Sequence, residues 1–328
     1  MAGETLLFIS GLILVYAASL LLAVPLAGVL VRFRANYTPK GLQLDGEGGV
    51  QPHTGPVINS YFAMFMRVKR LEGWPGLYKG LMPSVLTSFV ISAFILISSG
   101  GGSLNTGANN KYSAPVDGVW NRLAYSLFMM IISLPVAIVT NRSITTPFKL
   151  PWINGIYSLR VLLTATERRR PWILFLTPGL MISEVTRLLY VILFMHPLRV
   201  LILPSTVDEE QGSARQPFSV ARLSLYLGLA FVSTLIICPL EVISTRLSLQ
   251  RNHSSFGYSS AAQDEDVEIH DNAVYSAAEE DVIGLRSEDD PYIGFVDCMK
   301  RILHEEGYST LFRAWWLVFL PLVALPFV

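Results

Sequence analysis

The sequence predicts an all-α membrane protein with six transmembrane helices in three pseudo-symmetric repeats, each made of two spans plus a short surface helix. Three observations carry this reading. The chain is 52% hydrophobic and only 15% charged, where a soluble domain carries roughly 25% charged residues. Apolar runs at 5–33, 77–98, 117–143, 172–202, 218–248 and 309–328 approach the length of about 20 residues that a bilayer-crossing helix needs. A proline followed seven residues later by an arginine recurs in the odd-numbered runs, as Pro25 with Arg32, Pro135 with Arg142 and Pro239 with Arg246. The prolines lie about 105 to 110 residues apart, so one unit is written three times.

The elements follow in order. The first run opens after Met-Ala-Gly-Glu-Thr, which lacks both the basic start of a secretory signal and the arginine-rich pattern of a transit peptide, so it reads as a retained span. Pro25 sits well inside that run, where a proline removes a backbone donor and bends the helix. Pro135 and Pro239 repeat the device, so the three odd spans are expected to bend at matching depths. Between the first two spans, Tyr61, Phe62, Phe65 and Met66 alternate with Arg67, Lys69 and Arg70, which predicts an amphipathic surface helix over 57–71. Segments 156–168 and 293–305 occupy the equivalent places. All three surface helices then lie on one side of the membrane and both termini on the other. The basic residues agree with that topology. Arg32, Arg34, Lys40, Arg67, Lys69, Arg70, Arg142, Lys149, Arg160, Arg168, Arg169 and Arg170 fall on the surface-helix side, against Lys111, Arg199 and Arg215 opposite.

The units run over 1–99, 115–203 and 216–328. The third carries an insertion, 252–291, crowded with Asp and Glu. Such a segment buries too little apolar surface to offset the entropy of ordering, so it is expected to be disordered, as a solvated loop or a docking site for a protein partner. The Gly- and Asn-rich stretch from Gly100 to Asn110 reads as a flexible connector.

Several function classes are disfavoured. A net charge of zero argues against nucleic acid as a partner. Cys238 and Cys298 make neither a zinc site nor a disulfide framework. The histidines are scattered, and no nucleophile–histidine–acid arrangement or phosphate-cradling glycine loop is visible. No catalysis, metal or cofactor is expected.

Ionisable side chains deep in a span are costly and usually face a bundle interior. Glu184 and Arg187 lie three residues apart in the fourth run, on one helix face and within pairing distance. They are the first candidates for binding or gating; a self-neutralising structural pair is the alternative. Arg122 and Arg222 read as interfacial, and Trp315 with Trp316 as an aromatic belt.

Together these features resemble the mitochondrial carrier family over essentially the whole chain. That family's odd helices carry Pro-x-Asp/Glu-x-x-Lys/Arg-x-Lys/Arg, matched best by Pro239, Glu241 and Arg246. Its second signature is matched by Glu72, Gly73, Tyr78, Lys79, Gly80 and Pro83 in the first repeat. In the third it is matched by Glu306, Gly307, Phe312 and Arg313, with Ala314 where Gly is usual. The resemblance implies a six-helix bundle around a central cavity, with a solute crossing by alternating closure of two gates. It places Thr87 or Ser88 of the second span and Pro321 of the sixth at substrate-contact positions, and it implies membrane lipid, cardiolipin included, as a partner.

The departures concern the gates. The family pairs the acid of one odd-helix motif with the base of the next. Here those positions hold Ala27 and Leu30, then Ala137 and Thr140, then Glu241 and Ser244. One charge remains of the six, so no ring of ion pairs is expected. Arg32, Arg142 and Arg246 read either as snorkelling anchors or as charges along the solute path. Two functions follow. The first is a transporter of a small solute, in the inner mitochondrial membrane in preference to the outer. The alternative is a non-transporting, carrier-derived outer-membrane protein that acts as an adaptor or in mitochondrial fusion. A lipid-acting enzyme is disfavoured because no paired carboxylates or metal ligands converge.

Overall fold

A computed structural model describes residues 2–40, 43–44, 50–51, 57–98, 119–151, 154–203, 220–252, 275–276, 281–288 and 290–324. The first unit contains α1 (Ala2–Ala35), α2 (Tyr61–Leu71), α3 (Gly73–Leu77) and α4 (Leu81–Ser98). The second contains α5 (Val119–Thr145), α6 (Gly155–Leu162), α7 (Ala165–Arg169), α8 (Leu180–Tyr190) and α9 (His196–Ile202). A π turn, Val191–Met195, joins α8 to α9 and admits Pro197 without ending the helix. The third contains α10 (Val220–Leu249), α11 (Phe295–Arg301) and α12 (Trp315–Ala324).

Four segments are long and apolar enough to cross a bilayer: Leu14–Ala35, Val119–Thr145, Leu180–Ile202 and Val220–Leu249. A fifth arises only if Phe295–Glu306 and Tyr308–Ala324 count as one span, and these are bent by 115°. That bend suits a surface helix meeting a separate, shorter one. The second predicted span appears as the 18 residues of α4, about 27 Å at a rise of 1.5 Å per residue. The sixth appears as the 10 residues of α12; the start of that run falls in a 3-10 turn, Tyr308–Phe312, and residues 325–328 lie outside the described residues. No more than 39% of any candidate window is buried. Leu22, Phe89 and Leu201 stand exposed, an apolar surface that suits lipid and would be a liability in water.

The three prolines lie inside α1, α5 and α10 as the sequence predicts. A proline leaves the carbonyl four residues earlier without its helical donor. For Pro25 that carbonyl is Leu21, and the Tyr78 hydroxyl donates to it at 3.2 Å. An aromatic of the second signature thus compensates the proline of the first.

The buried core gathers where the odd helices end. Val29 and Phe33 of α1 pack with Tyr61, Met64 and Val68 of α2, which fixes the surface helix against the span. Leu134 and Ile138 of α5 meet Val242, Ile243 and Leu247 of α10, with Leu180 of α8 and Cys298 of α11. Tyr226, Ala230 and Ile237 of α10 pack on Val318 and Leu322 of α12.

One part of the acidic insertion departs from the expectation of disorder. Val282 and Ile283 are buried among Val29, Phe33 and Met64. The Val282-Ile283-Gly284-Leu285 run is apolar enough to dock, a local signal that the average over an acidic segment conceals. Residues 253–274, 277–280 and 289, like the 100–110 connector, lie outside the described residues.

Candidate functional site

Arg32, Arg142 and Arg246 are buried and do not reach out to water as snorkelling anchors would. Their exposures are 1%, 4% and 5%, and each is paired with a glutamate of its own unit. Arg32 Nη2 lies 2.5 Å from Glu72 Oε2. Arg142 holds Glu167 with two parallel bonds, Nη1 to Oε2 at 2.6 Å and Nη2 to Oε1 at 2.9 Å. Arg246 pairs with both oxygens of Glu306. An arginine at a helix end beside a buried carboxylate gains more from a fork of charged bonds than from reaching for water, which is why the snorkelling expectation fails.

The remaining guanidinium donors close a circuit. Arg32 of α1 donates to the Ile144 carbonyl at the end of α5. Arg142 of α5 donates to Ser248 and Gln250 at the end of α10. Arg246 of α10 donates to Arg34 and Asn36 at the end of α1. The last carbonyls of a helix lack intrahelical donors and carry partial negative charge. Each arginine therefore caps the next odd helix while held by its own glutamate, and the same contact is made three times round one end of the bundle.

The second-signature residues complete two of the corners. Lys79 pairs with Glu72 and donates to the Thr146 carbonyl at 2.8 Å. Arg313 donates to Phe33 at 3.1 Å and to the Thr38 hydroxyl at 2.6 Å. Gly80, at φ 90°, sits where a Cβ would come within 2.7 Å of Ile144, so glycine is required for the close approach of that corner to α5. Gly73 and Gly307 also take positive φ, and Ala314 does so as a non-glycine.

The second unit solves the problem differently. The position seven residues after Glu167 is Leu174, so no base stands where Lys79 and Arg313 stand. Asn252 replaces it, donating from its backbone N–H and from Nδ2 to Glu167 Oε1 at 3.1 and 3.2 Å, and from Nδ2 to Thr177 at 3.0 Å. Burial works against ionisation of Glu167. The Arg142 bonds and charge, with the backbone N–H groups of Asn252 and Thr164, outweigh it and hold the carboxyl below its usual range. Sequence reading missed Glu167. The signal was present as Thr164-Ala-Thr-Glu167, a capping box in which Thr164 and Glu167 exchange bonds at the start of α7.

A second charged cluster lies farther down the bundle. Arg187 Nη2 is 2.5 Å from Glu184 Oε2 on α8, as predicted from their spacing. The Ser244 hydroxyl of α10 donates to the other Glu184 oxygen. Glu241, one turn earlier on α10, lies 2.8 Å from Arg34 Nη2 of α1 and is close enough to Arg187 for their charges to interact. Two acids and two arginines thereby link α8, α10 and α1. Arg34 Nε and Nη2 are buried without a hydrogen bond of good geometry, so the Arg34–Glu241 contact is one of charge alone. The one acid left at the gate positions, Glu241, has thus found a base two residues beyond the motif. The side chains of Arg187 and Glu241 are 39% and 26% exposed, the rest of the cluster less.

Thr87 and Ser88 are not brought to this cluster by any hydrogen bond among the described residues. Each bonds back to its own helix, to Pro83 at 2.7 Å and Ser84 at 3.0 Å. Pro321 lies inside α12. Arg122 pairs with His196. Cys238 and Cys298 are free and buried. Among the described residues no group of His, Cys, Asp and Glu is placed to hold a metal.

Residues 219–325 match the family model described as mitochondrial carrier protein; no curated protein matches the chain. The matched segment spans α10 to α12 and holds Pro239, Glu241, Arg246, Glu306 and Gly307, of which Arg246 and Glu306 form the third corner. Residues 219–325, about a third of the chain, are thus similar to the mitochondrial carrier family.

Proposed function

We propose that the protein is a carrier-type, multi-pass transporter of a small solute in a mitochondrial membrane, with six spans in three repeats and an alternating-access cycle. The observation that carries the reading is the cluster of Arg34, Glu184, Arg187, Glu241 and Ser244. It ties three helices, and the exposure of Arg187 and Glu241 lets these two exchange partners at less cost than a fully desolvated charge would incur. Glu184 and Arg187 are the solute-contact or gating pair. The buried arginine corners are the fixed frame against which the cluster moves. The exposed apolar faces contact membrane lipid, and the inner membrane is favoured over the outer.

The test is flux into proteoliposomes carrying a mixture of labelled mitochondrial metabolites. Replacing both Glu184 and Arg187 by Gln abolishes any flux that the native chain supports; full flux in the double variant contradicts the assignment.

The alternative, a carrier-derived outer-membrane adaptor that no longer transports, draws on the neutral residues Ala27, Leu30, Ala137 and Thr140 at gate positions. Protease protection of a tag inserted between 253 and 274 separates the two in intact mitochondria. Protection until the inner membrane is breached favours the transporter; cleavage in intact organelles favours the adaptor and directs attention to partners of the acidic loop.

A further inference from the structure

The insertion in the third unit returns to the other two, and its described residues contact all three arginine corners or their neighbours. Tyr275 pairs with Phe148, just past the end of α5, as an antiparallel bridge with the rings 5.0 Å apart. The Ser276 hydroxyl is 2.8 Å from Glu72 Oε1, and Lys79 donates to it at 2.6 Å, so it enters the first corner directly. The Ser276 backbone N–H donates to the Pro147 carbonyl at 2.8 Å. Arg67 of α2 donates to the Val282 and Asp281 carbonyls at 3.1 and 3.0 Å. Gly284 exchanges bonds with the end of α1, its N–H reaching Asn36 Oδ1 at 2.9 Å and its carbonyl accepting from Tyr37 at 2.8 Å. Arg286 then lies over the rings of Tyr37 and Tyr292 and pairs with Glu305 at 2.5 Å.

We propose that this segment, through Tyr275, Ser276 and residues 281–286, is a strap that holds the ends of α1 and α5 together, and that this end of the bundle opens only when the strap lets go. Separating the ends of α1 and α5 would pull Ser276 from Glu72 and Lys79 or from Pro147, because that one residue bonds the first corner and the end of α5 together. Beneath it lies a cavity of about 240 Å³ lined by Arg32, Glu72, Thr145, Ser276 and Asp281. Val282, Ile283 and Leu285 also line it, so the strap roofs a space of mixed polarity between the helix ends. Val282 and Ile283 are its buried apolar contacts, while its polar bonds to Arg67, Asn36 and Glu305 are part-exposed, the type of contact from which moving elements are drawn. The inference goes beyond transport: it concerns what keeps this end shut, and its readout needs no solute.

The experiment fastens the strap and asks whether a distant contact still opens. Phe148→Cys with Tyr275→Cys places two thiols across a bridge whose Cα atoms lie about 4.5–5.5 Å apart, within the range of about 4.4–6.8 Å that a disulfide spans. Ser248→Cys is the reporter. Ser248 is buried where α5 meets α10, bonded to Asn141 and Thr245, and receives no bond from the strap. The full chain in lipid nanodiscs is labelled with a maleimide, with the protein lacking the reporter as background. Reduction of the disulfide is expected to speed labelling roughly tenfold, as for a local opening that the cross-link forbids. Equal rates in the oxidised and reduced forms overturn the proposal. If the cross-link does not form, Arg67→Gln in a chain with the reporter decides. Faster labelling at an unchanged melting temperature supports the strap, and an unchanged rate overturns it.

Discussion

Arg34 of α1 and Glu241 of α10 meet at 2.8 Å, joining the first and last odd helices one turn from the Glu184–Arg187 pair. The charge contact is made without a well-formed hydrogen bond, so its strength depends on sign more than on shape. Arg34→Glu and Glu241→Arg are each expected to destabilise the detergent-solubilised protein by roughly 1–3 kcal/mol, less than a fully buried pair would lose. The double swap should recover part of that loss, with a coupling of about 0.5–3 kcal/mol in a double-mutant cycle. Strict additivity of the two single losses contradicts the pairing.

The second corner makes a prediction in acid. The Glu167 carboxyl titrates below its ordinary value of 4.5 in the folded chain. Its contribution is then present in full above that value and is lost as pH falls below it toward the folded value. Glu167→Gln should cost about 3–5 kcal/mol at neutral pH, because Arg142 is left buried without its partner. The gap between native and variant chains should narrow as pH falls below 4.5, since the protonated acid resembles the amide. Unfolding midpoints measured from pH 7 to pH 3 check this; a constant gap contradicts it.

Ala314 occupies the left-handed region at φ 57°, where the first unit has glycine at Gly80. A side chain there costs about 1–2 kcal/mol. Ala314→Gly should therefore raise stability by roughly 1 kcal/mol after the loss of a small buried methyl and the greater freedom of the unfolded chain. Thermal unfolding of the two proteins under identical conditions is the check, and a lower midpoint in the variant contradicts the strain.

Gly179 makes the opposite case. Its φ is 80°, and a Cβ there would fall 2.2 Å from the backbone nitrogen of Phe295. Backbone cannot give way as a flexible side chain can, so Gly179→Ala should displace α11 from α8 and destabilise by more than about 2 kcal/mol. Unfolding midpoints again decide; a loss within experimental error would mean that α8 and α11 do not touch at this point.

Much of the frame was legible because it is written as spacing. The prolines of α1, α5 and α10, the positions of the arginines that follow them and the pairing of Glu184 with Arg187 are local patterns, though what the arginines bond was not among them. What escaped was relational. Glu167 lacks the glycine that follows Glu72 and Glu306, so its role emerges only when Arg142 arrives from 25 residues away. Arg34 stands two residues past the motif position and finds Glu241 across the bundle. Asn252 marks the start of a segment whose acidic composition predicts disorder, yet its amide does the work of an absent lysine. Val282 and Ile283 were hidden by the acids around them. The two charges in the fourth span announced a pair; their link through Ser244 to the third unit needed the fold.

The most direct test of an alternating path through the charged cluster is thiol accessibility at position 187 from each face of the membrane. Arg187→Cys, in proteoliposomes of known orientation, is treated with a membrane-impermeant reagent from outside or from within. The account predicts labelling from both faces, because the same position must meet each side in turn. Labelling from one face alone, or from neither, contradicts it.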